Sequence, residues 1–265
     1  MPKFFVSGDE LTADRVRFRG ENAAHLKVLR VRVGETLTVS DGAGRDYTCR
    51  LLETGSEPVA ALLSSRPSPG EPAVWAAVYA ALPKGDKAET IVQKCVELGA
   101  ARVVFFASAR CVSKPDEKAM AGKLRRYRKI AEEAAMQSYR GRVPQVDWLP
   151  SLSAALAEGA GCALRAFLWE EERALSLRQA LTQAESLSSA ALMTGPEGGF
   201  SAEEAAQAAS AGFQAVTLGP RILRCETAPL AALTALMYHT GGLDAAPAEG
   251  EPSAPQCANS IRDAK

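Results

Sequence analysis

Two glycine-marked stretches hold most of the residues whose types and spacing could do chemistry. They are Thr194-Gly195-Pro196-Glu197-Gly198-Gly199-Phe200-Ser201 and Leu218-Gly219-Pro220-Arg221-Ile222-Leu223-Arg224-Cys225-Glu226-Thr227-Ala228. In the first, glycines permit positive φ and close backbone approach, while Pro196 fixes one dihedral and removes one donor. Such a loop exposes backbone N–H and C=O groups that can read the edge of a purine, although an ordinary tight strand-to-helix turn has the same composition. It lacks the GK[ST] ending of a P-loop and the GxGxxG of dinucleotide folds, so phosphate cradling fits it poorly. In the second stretch, Arg221, Arg224, Glu226 and Thr227 surround apolar Ile222 and Leu223. Apolar side chains beside freed backbone suit a flat aromatic ring, and the polar groups suit a charged reaction partner. A helix start capped by Glu226 and Thr227, with two surface arginines, is the structural reading, and the two are compatible.

Both stretches follow short apolar runs and open helical patterns, which places them at the carboxyl ends of parallel strands, side by side, around a pocket. From Ala73 onward the chain alternates strand and helix patterns. Strands are expected at Ala73 to Leu82, Val103 to Ala107, Val146 to Leu149, Ala163 to Trp169, Ala190 to Thr194 and Phe213 to Leu218. Helices are expected after Asp86, read as an N-cap with Gly99 as the stop, and over Lys118 to Ser138, Leu152 to Glu158, Leu175 to Ala184, Ser201 to Gly212 and Glu226 to His239. Ser201 with Glu204 reads as a capping box. This order implies a mostly parallel α/β sheet. Residues 1–66 read instead as a small β-rich domain with a hairpin around Asp41-Gly42-Ala43-Gly44. Before that hairpin, a short helix or turn at His25 to Arg30 is expected to bury Leu26 and Leu29. The segment 67–72, rich in proline, reads as an interdomain linker, 73–240 as the α/β domain, and 241–265 as a disordered tail.

The 31 basic and 31 acidic residues of this 265-residue chain cancel, but they are not evenly spread. Six basic residues against one acid lie between Arg15 and Arg32, and eleven against four between Arg102 and Arg142. Each run could be a solvated face, but two of them in a neutral chain suit a polyanion partner. The six cysteines form no CxxC pair and only His25 and His239 could join them, so no metal site or disulfide framework is expected. The apolar start is broken by Asp9 and Glu10, and the longest apolar run is too short to span a bilayer. A soluble cytoplasmic protein with no membrane partner is the expectation.

Three further groups of residues, with the two glycine stretches, carry a resemblance. Lys84-Gly85-Asp86-Lys87 with Gln93-Lys94-Cys95-Val96-Glu97-Leu98-Gly99, then Glu132 to Arg140 through Met136-Gln137-Ser138-Tyr139, the two glycine stretches, and His25 to Arg30 with Gly34 together resemble the RsmE family. These are 16S ribosomal RNA uridine-N3 methyltransferases of the SPOUT class, and the likeness covers residues 1 to about 240. It implies a PUA-like N-terminal β-barrel, a SPOUT α/β domain with a trefoil knot, S-adenosyl-L-methionine as cofactor, a homodimer, and 16S rRNA in the small ribosomal subunit as partner. It also implies cofactor contacts from Leu168, Trp169 and Glu170; from Thr194, Gly195, Pro196, Glu197, Gly198 and Gly199; and from Leu218, Gly219, Ile222, Leu223, Arg224, Thr227 and Ala228. Methyl transfer to uridine N3 needs its proton removed or the developing anion stabilised, and no histidine falls in these motifs. Arg224 or Arg140 is expected to stabilise the anion, with Glu226 orienting an arginine or accepting the proton. Arg15, Arg17, Lys27, Arg30 and Arg32 are expected to grip RNA phosphates. Gln137 is expected to hold RNA, to build the dimer seam, or to satisfy helix-end carbonyls. His25 is expected to be packed rather than catalytic. The alternatives are another SPOUT RNA methyltransferase, acting on a ribose 2′-hydroxyl or another base, and an RNA-binding assembly factor without a cofactor pocket.

Overall fold

Alternating exposure along the first sixty-odd residues builds one curled sheet around a small core. The computed structural model describes residues 2–113, 115–184 and 187–245. Strands β1 (Lys3–Phe5), β2 (Arg15–Arg17), β3 (Thr36–Ser40), β4 (Arg45–Glu53) and β5 (Val59–Pro67) pair in the order β1-β3-β4-β5-β2. The ladders are antiparallel except β1–β3. The expected hairpin is β3–β4; Asp41 Oδ1 accepts from the backbone N–H of Ala43 and Arg45, and Gly42 and Gly44 take positive φ. Among the described residues no ladder joins β1 to β2, so the sheet is curled rather than a hydrogen-bonded closed barrel. Helix α1 (Gly20–Val28) buries Ala23 and Leu26 against Phe4, Phe18 and Val39, with the His25 ring edge-on to Phe4 at 5.4 Å. Leu29, expected inside, is exposed, because the helix ends at Val28 and the chain turns away at Arg30, which has φ 54°.

The proline-rich segment after β5 is packed rather than a free spacer. Ser68 is buried, and it joins Asp46 in binding the Lys3 ammonium, which reaches Asp46 at 2.9 Å, Ser68 Oγ at 3.3 Å and the Tyr139 carbonyl at 3.1 Å. Glu71 takes both donors of Arg140 at 2.9 Å and the backbone N–H of Gly141 and Arg142. Buried charges persist only when paired in this way, and these pairs fasten the first lobe to the second.

In the second lobe six parallel strands run in the order β11-β9-β10-β6-β7-β8. They are β6 (Trp75–Ala81), β7 (Arg102–Phe106), β8 (Gln145–Leu149), β9 (Leu164–Leu168), β10 (Ser189–Thr194) and β11 (Gln214–Val216). Every position of β6 from Ala76 to Ala81 is buried, as a central strand covered on both faces requires. The helices are α2 (Lys87–Glu97), α3 (Glu117–Gln137), α4 (Leu152–Gly159), α5 (Leu177–Gln183), α6 (Ala202–Ser210) and α7 (Thr227–His239). Asp86 precedes α2 without a side-chain cap. At the other end Gly99, with φ 99°, closes a Schellman turn in which Ala100 donates to Cys95 and Gly99 to Val96. Ser201 and Glu204 form the expected capping box on α6, and Ser176 with Gln179 forms another on α5. The order of strands reverses after β8: the chain passes to β9 and then β10, which inserts between β9 and β6. The two glycine stretches therefore follow strands that flank β9 rather than each other. Among the described residues no helix is long and apolar enough to cross a membrane. Residues 246–265, most of the expected tail, lie outside the described residues, as does Lys114 of the basic run between Arg102 and Arg142.

Candidate cofactor site at the carboxyl ends of β9, β10 and β11

Three loops at one end of the sheet enclose a cavity of about 480 Å³, within the roughly 300–1,000 Å³ typical of small-molecule sites. Leu168, Trp169 and Glu170 form one wall, 194–199 the second, and 216–219, 221–225 and Ala228 the third. The cofactor residues expected from sequence all line it except Thr227, the first residue of α7. Val216, Thr217, Arg221 and Cys225 join them.

Local chemistry shapes the second wall. Thr194 is buried with Oγ1 3.4 Å from the Tyr79 carbonyl, and the Gly199 N–H donates to the Pro196 carbonyl at 3.0 Å. Arg110 clasps the loop from outside, donating to the carbonyls of Gly198 at 2.9 Å and Phe200 at 3.2 Å. Phe200 anchors its end by stacking on Phe167 at 4.1 Å. Glu204 ties it to the loop after β7 by accepting from Ser108 Oγ and the Ala109 N–H. Gly199 has φ 65°, and a Cβ there would overlap the Glu170 carboxylate. The third wall turns at Gly219, whose N–H donates to Thr217 Oγ1 at 3.1 Å. Its Ile222 is 75 % exposed, and the side chains of Arg221 and Arg224 have no hydrogen-bond or ion-pair partner among the described residues.

The charged groups at the rim are arranged by Lys87, which belongs to the Lys84-Gly85-Asp86-Lys87 motif but has no role assigned there. Lys87 Nζ lies 2.9 Å from Glu197 Oε1 and 3.5 Å from Glu226 Oε2. Glu226 is thus partnered by a lysine, not by an arginine as expected from charge type. Burial pushes the Glu197 carboxyl up, but hydrogen bonds from Lys87 and from the backbone N–H groups of Glu197 and Lys84 outweigh it and bring its pKa down to about 2. Glu226 is also held below the usual carboxylate range, by a backbone N–H first and then by Cys225 and Lys87, against the opposing effect of burial. Its basicity is therefore reduced, which weakens it as a proton acceptor. Because Glu197 is depressed in the folded state, its stabilising contribution is present above the unfolded carboxylate range and is lost as pH falls toward about 2. Wild type and Glu197→Gln should accordingly differ in thermal midpoint at neutral pH and converge as the pH is lowered from about 4.5 to about 2.

Arg140 does not join this site. It is 3 % exposed, with its donors committed to Glu71 and to the carbonyls of Val96 and Ala100, so it has no free charge for a reacting base. Gln137 is exposed at the end of α3, where Ser138 Oγ bonds the Ala134 carbonyl in place of the expected amide. Arg15 and Arg17 project from the outer face of β2 and pair with Asp14 and Glu57, at 3.1 and 3.5 Å. Lys27, Arg30 and Arg32 are exposed, and their side chains have no partner among the described residues.

Comparison with known proteins gives this geometry a context. The family described as "RNA methyltransferase domain" matches residues 70–237, and "RNA methyltransferase PUA domain" matches residues 18–63. The chain is 33 % identical over 252 residues to the ribosomal RNA small subunit methyltransferase E of Bacillus subtilis, covering 91 % of this chain and 97 % of that one. It belongs to the RsmE family. A second member, from Mycobacterium tuberculosis, is 37 % identical over 253 residues, covering 93 % of this chain and 90 % of its own length. The solved structure of a family member from Neisseria gonorrhoeae, described as bound to S-adenosyl methionine, superposes with a TM-score of 0.76 at 34 % identity, covering 89 % of this chain and 97 % of that one.

Proposed function

We propose that the chain transfers the methyl group of S-adenosyl-L-methionine to N3 of a uridine in 16S rRNA of the small ribosomal subunit. The observation that carries this reading is the cavity at the ends of β9, β10 and β11, walled by the three loops that the family resemblance assigns to the cofactor. The residues present suit that ligand. Trp169 lines the cavity, and its indole N–H is buried without a hydrogen-bond partner among the described residues, a donor left for a ligand. Leu218, Ile222 and Leu223 supply apolar surface for a flat adenine, while the glycines of the second wall let backbone groups approach its edge.

When bound, S-adenosyl-L-methionine supplies an electrophilic methyl on a sulfonium sulfur, which keeps the electron pair as the C–S bond breaks. Uridine N3 forms the new N–C bond and gives its proton to solvent. The Arg224 guanidinium, unpaired and on the cavity wall, stabilises the charge that develops on the uracil ring. Glu226, already ionised and paired with Lys87, orients the loop before α7. The three loops hold methyl and nitrogen in line, which is the larger part of the catalysis. Lys27, Arg30 and Arg32 grip phosphates, with Arg15 and Arg17 joining as their surface pairs exchange. The second lobe carries the trefoil knot of the SPOUT class. The enzyme works in the cytoplasm as a homodimer, whose second copy covers exposed Ile222 and completes the uridine site.

Arg224→Ala tests the chemistry. Single-turnover methyl transfer to unmodified small subunits at saturating cofactor should fall about 10²–10³-fold, the usual effect of losing one charge-stabilising donor. Near-native turnover would remove Arg224 from this role.

A further inference from the structure

Two walls of the cavity are tied together from a third element. Lys87 is the first residue of α2 and is not itself part of the cavity lining. Its Nζ donates to Glu197 Oε1 at 2.9 Å, lies 3.5 Å from Glu226 Oε2, and reaches Cys225 Sγ at 3.7 Å. Glu197 belongs to the loop after β10, and Glu226 to the loop that enters α7. The Lys84 backbone N–H, from the same turn before α2, donates to the same Glu197 oxygen at 3.1 Å. The start of α2 thus grips each wall twice.

The geometry points to Lys87 as a positioning residue that sets the spacing of the two cofactor loops by balancing one carboxylate from each. The identity of the ligand rests on the methyltransferase reading above; the clamp itself does not. Cys225 is not the group being balanced, because burial, with Glu226 beside it, pushes its thiol up to about 12 and leaves it neutral. The charges facing Lys87 are therefore the two carboxylates. Without the ammonium the two carboxylates lose the cation they share, and Glu170, which lines the same cavity as Glu197 and has no ion-pair partner among the described residues, adds a third negative charge. Like charges in a shared site repel, so the loops separate and the cavity loses its fit to the cofactor. Lys87 touches neither reacting atom in this scheme. Its loss should weaken cofactor binding and leave the chemical step of the bound complex largely intact.

The test titrates S-adenosyl-L-methionine calorimetrically into wild type, K87M, K87R and K87M/E226Q, and measures single-turnover transfer to small subunits at saturating cofactor for wild type, K87M and K87R. K87M should bind about tenfold more weakly or worse, and K87R close to wild type. K87M/E226Q should recover part of the lost affinity, since neutralising one carboxylate removes the repulsion. Turnover of K87M at saturation should stay within about threefold of wild type, the pattern of a lost binding interaction. Hydrogen exchange should quicken in 194–200 and 218–228 of K87M and not in the buried strand β6. Equal cofactor affinity in K87M and wild type, a double variant no better than K87M, or unchanged exchange in both loops would each overturn the clamp. Failure of wild type to bind the cofactor would instead sink the methyltransferase reading and leave the exchange result to judge the clamp.

Discussion

Replacing Gly199 by alanine is expected to weaken cofactor binding while leaving the protein folded. A Cβ at that position meets two obstacles at once. With φ 65° an L side chain is strained, by about 1–2 kcal/mol. The added carbon would also overlap the Glu170 carboxylate, so either Glu170 or the loop must move, and both line the cavity. Backbone strain alone should lower the thermal midpoint by roughly 2–8 °C for a domain of this size. Whichever of the two moves, one wall of the cavity changes shape, which should weaken S-adenosyl-L-methionine binding by about tenfold. Gly161 is a suitable control, because a Cβ there meets nothing within 4 Å and its φ is not positive. Gly161→Ala should bind as wild type. Calorimetry on both variants separates a local effect at the cavity from a general loss of stability.

Arg140→Met should destabilise the fold more than Gly199→Ala or Arg224→Ala does, without the specific catalytic defect expected of Arg224→Ala. Arg140 and Glu71 form a two-point ion pair at 2.9 Å, and Arg140 also donates to the carbonyls of Val96 and Ala100 at the end of α2. Methionine fills part of the space but takes the guanidinium away from Glu71, which keeps only the Gly141 and Arg142 N–H groups, and from both carbonyls. Breaking a buried pair from one side costs about 3–5 kcal/mol, equivalent to roughly 6–20 °C in thermal midpoint for a protein this large. Glu71→Gln should also destabilise, since one amide oxygen can still accept from Arg140 Nε and from the N–H groups of Gly141 and Arg142 but the amide NH2 faces the second guanidinium donor and the buried Arg140 charge loses its partner. If folded Arg140→Met binds cofactor normally but is as slow in single turnover as Arg224→Ala, the purely structural assignment of Arg140 is wrong.

The contrast between these two positions shows which features could be read along the chain. Gly199 stood out because its partners are local: the tight turn back to Pro196, the capping box from Ser201 to Glu204, and the helix pattern that follows all lie within a few residues. Strand and helix order was legible for the same reason, since periodicity and turn residues act over short spans. Arg140 carried no such signal, because its partner Glu71 lies 69 residues away, in a stretch whose prolines suggested a spacer. Lys87 is separated from Glu197 by 110 residues and from Cys225 by 138, so neither contact follows from spacing. Strand β5 went unassigned because its second half, Leu63 to Pro67, is exposed and contains Ser64 and Ser65. The insertion of β10 between β9 and β6 likewise depends on tertiary pairing and not on local pattern.

Whether these three loops deliver a methyl group to N3 of a uridine in small-subunit RNA can be measured directly. The protein is incubated with unmodified small subunits and S-adenosyl-L-methionine carrying an isotopically labelled methyl group, and the RNA is then digested and the labelled nucleoside identified by mass spectrometry. Label is predicted in N3-methyluridine at a single site, and less of it at limiting cofactor when Gly199→Ala replaces wild type. Label on a ribose 2′-oxygen, on another base, or on no nucleoside at all would contradict this function.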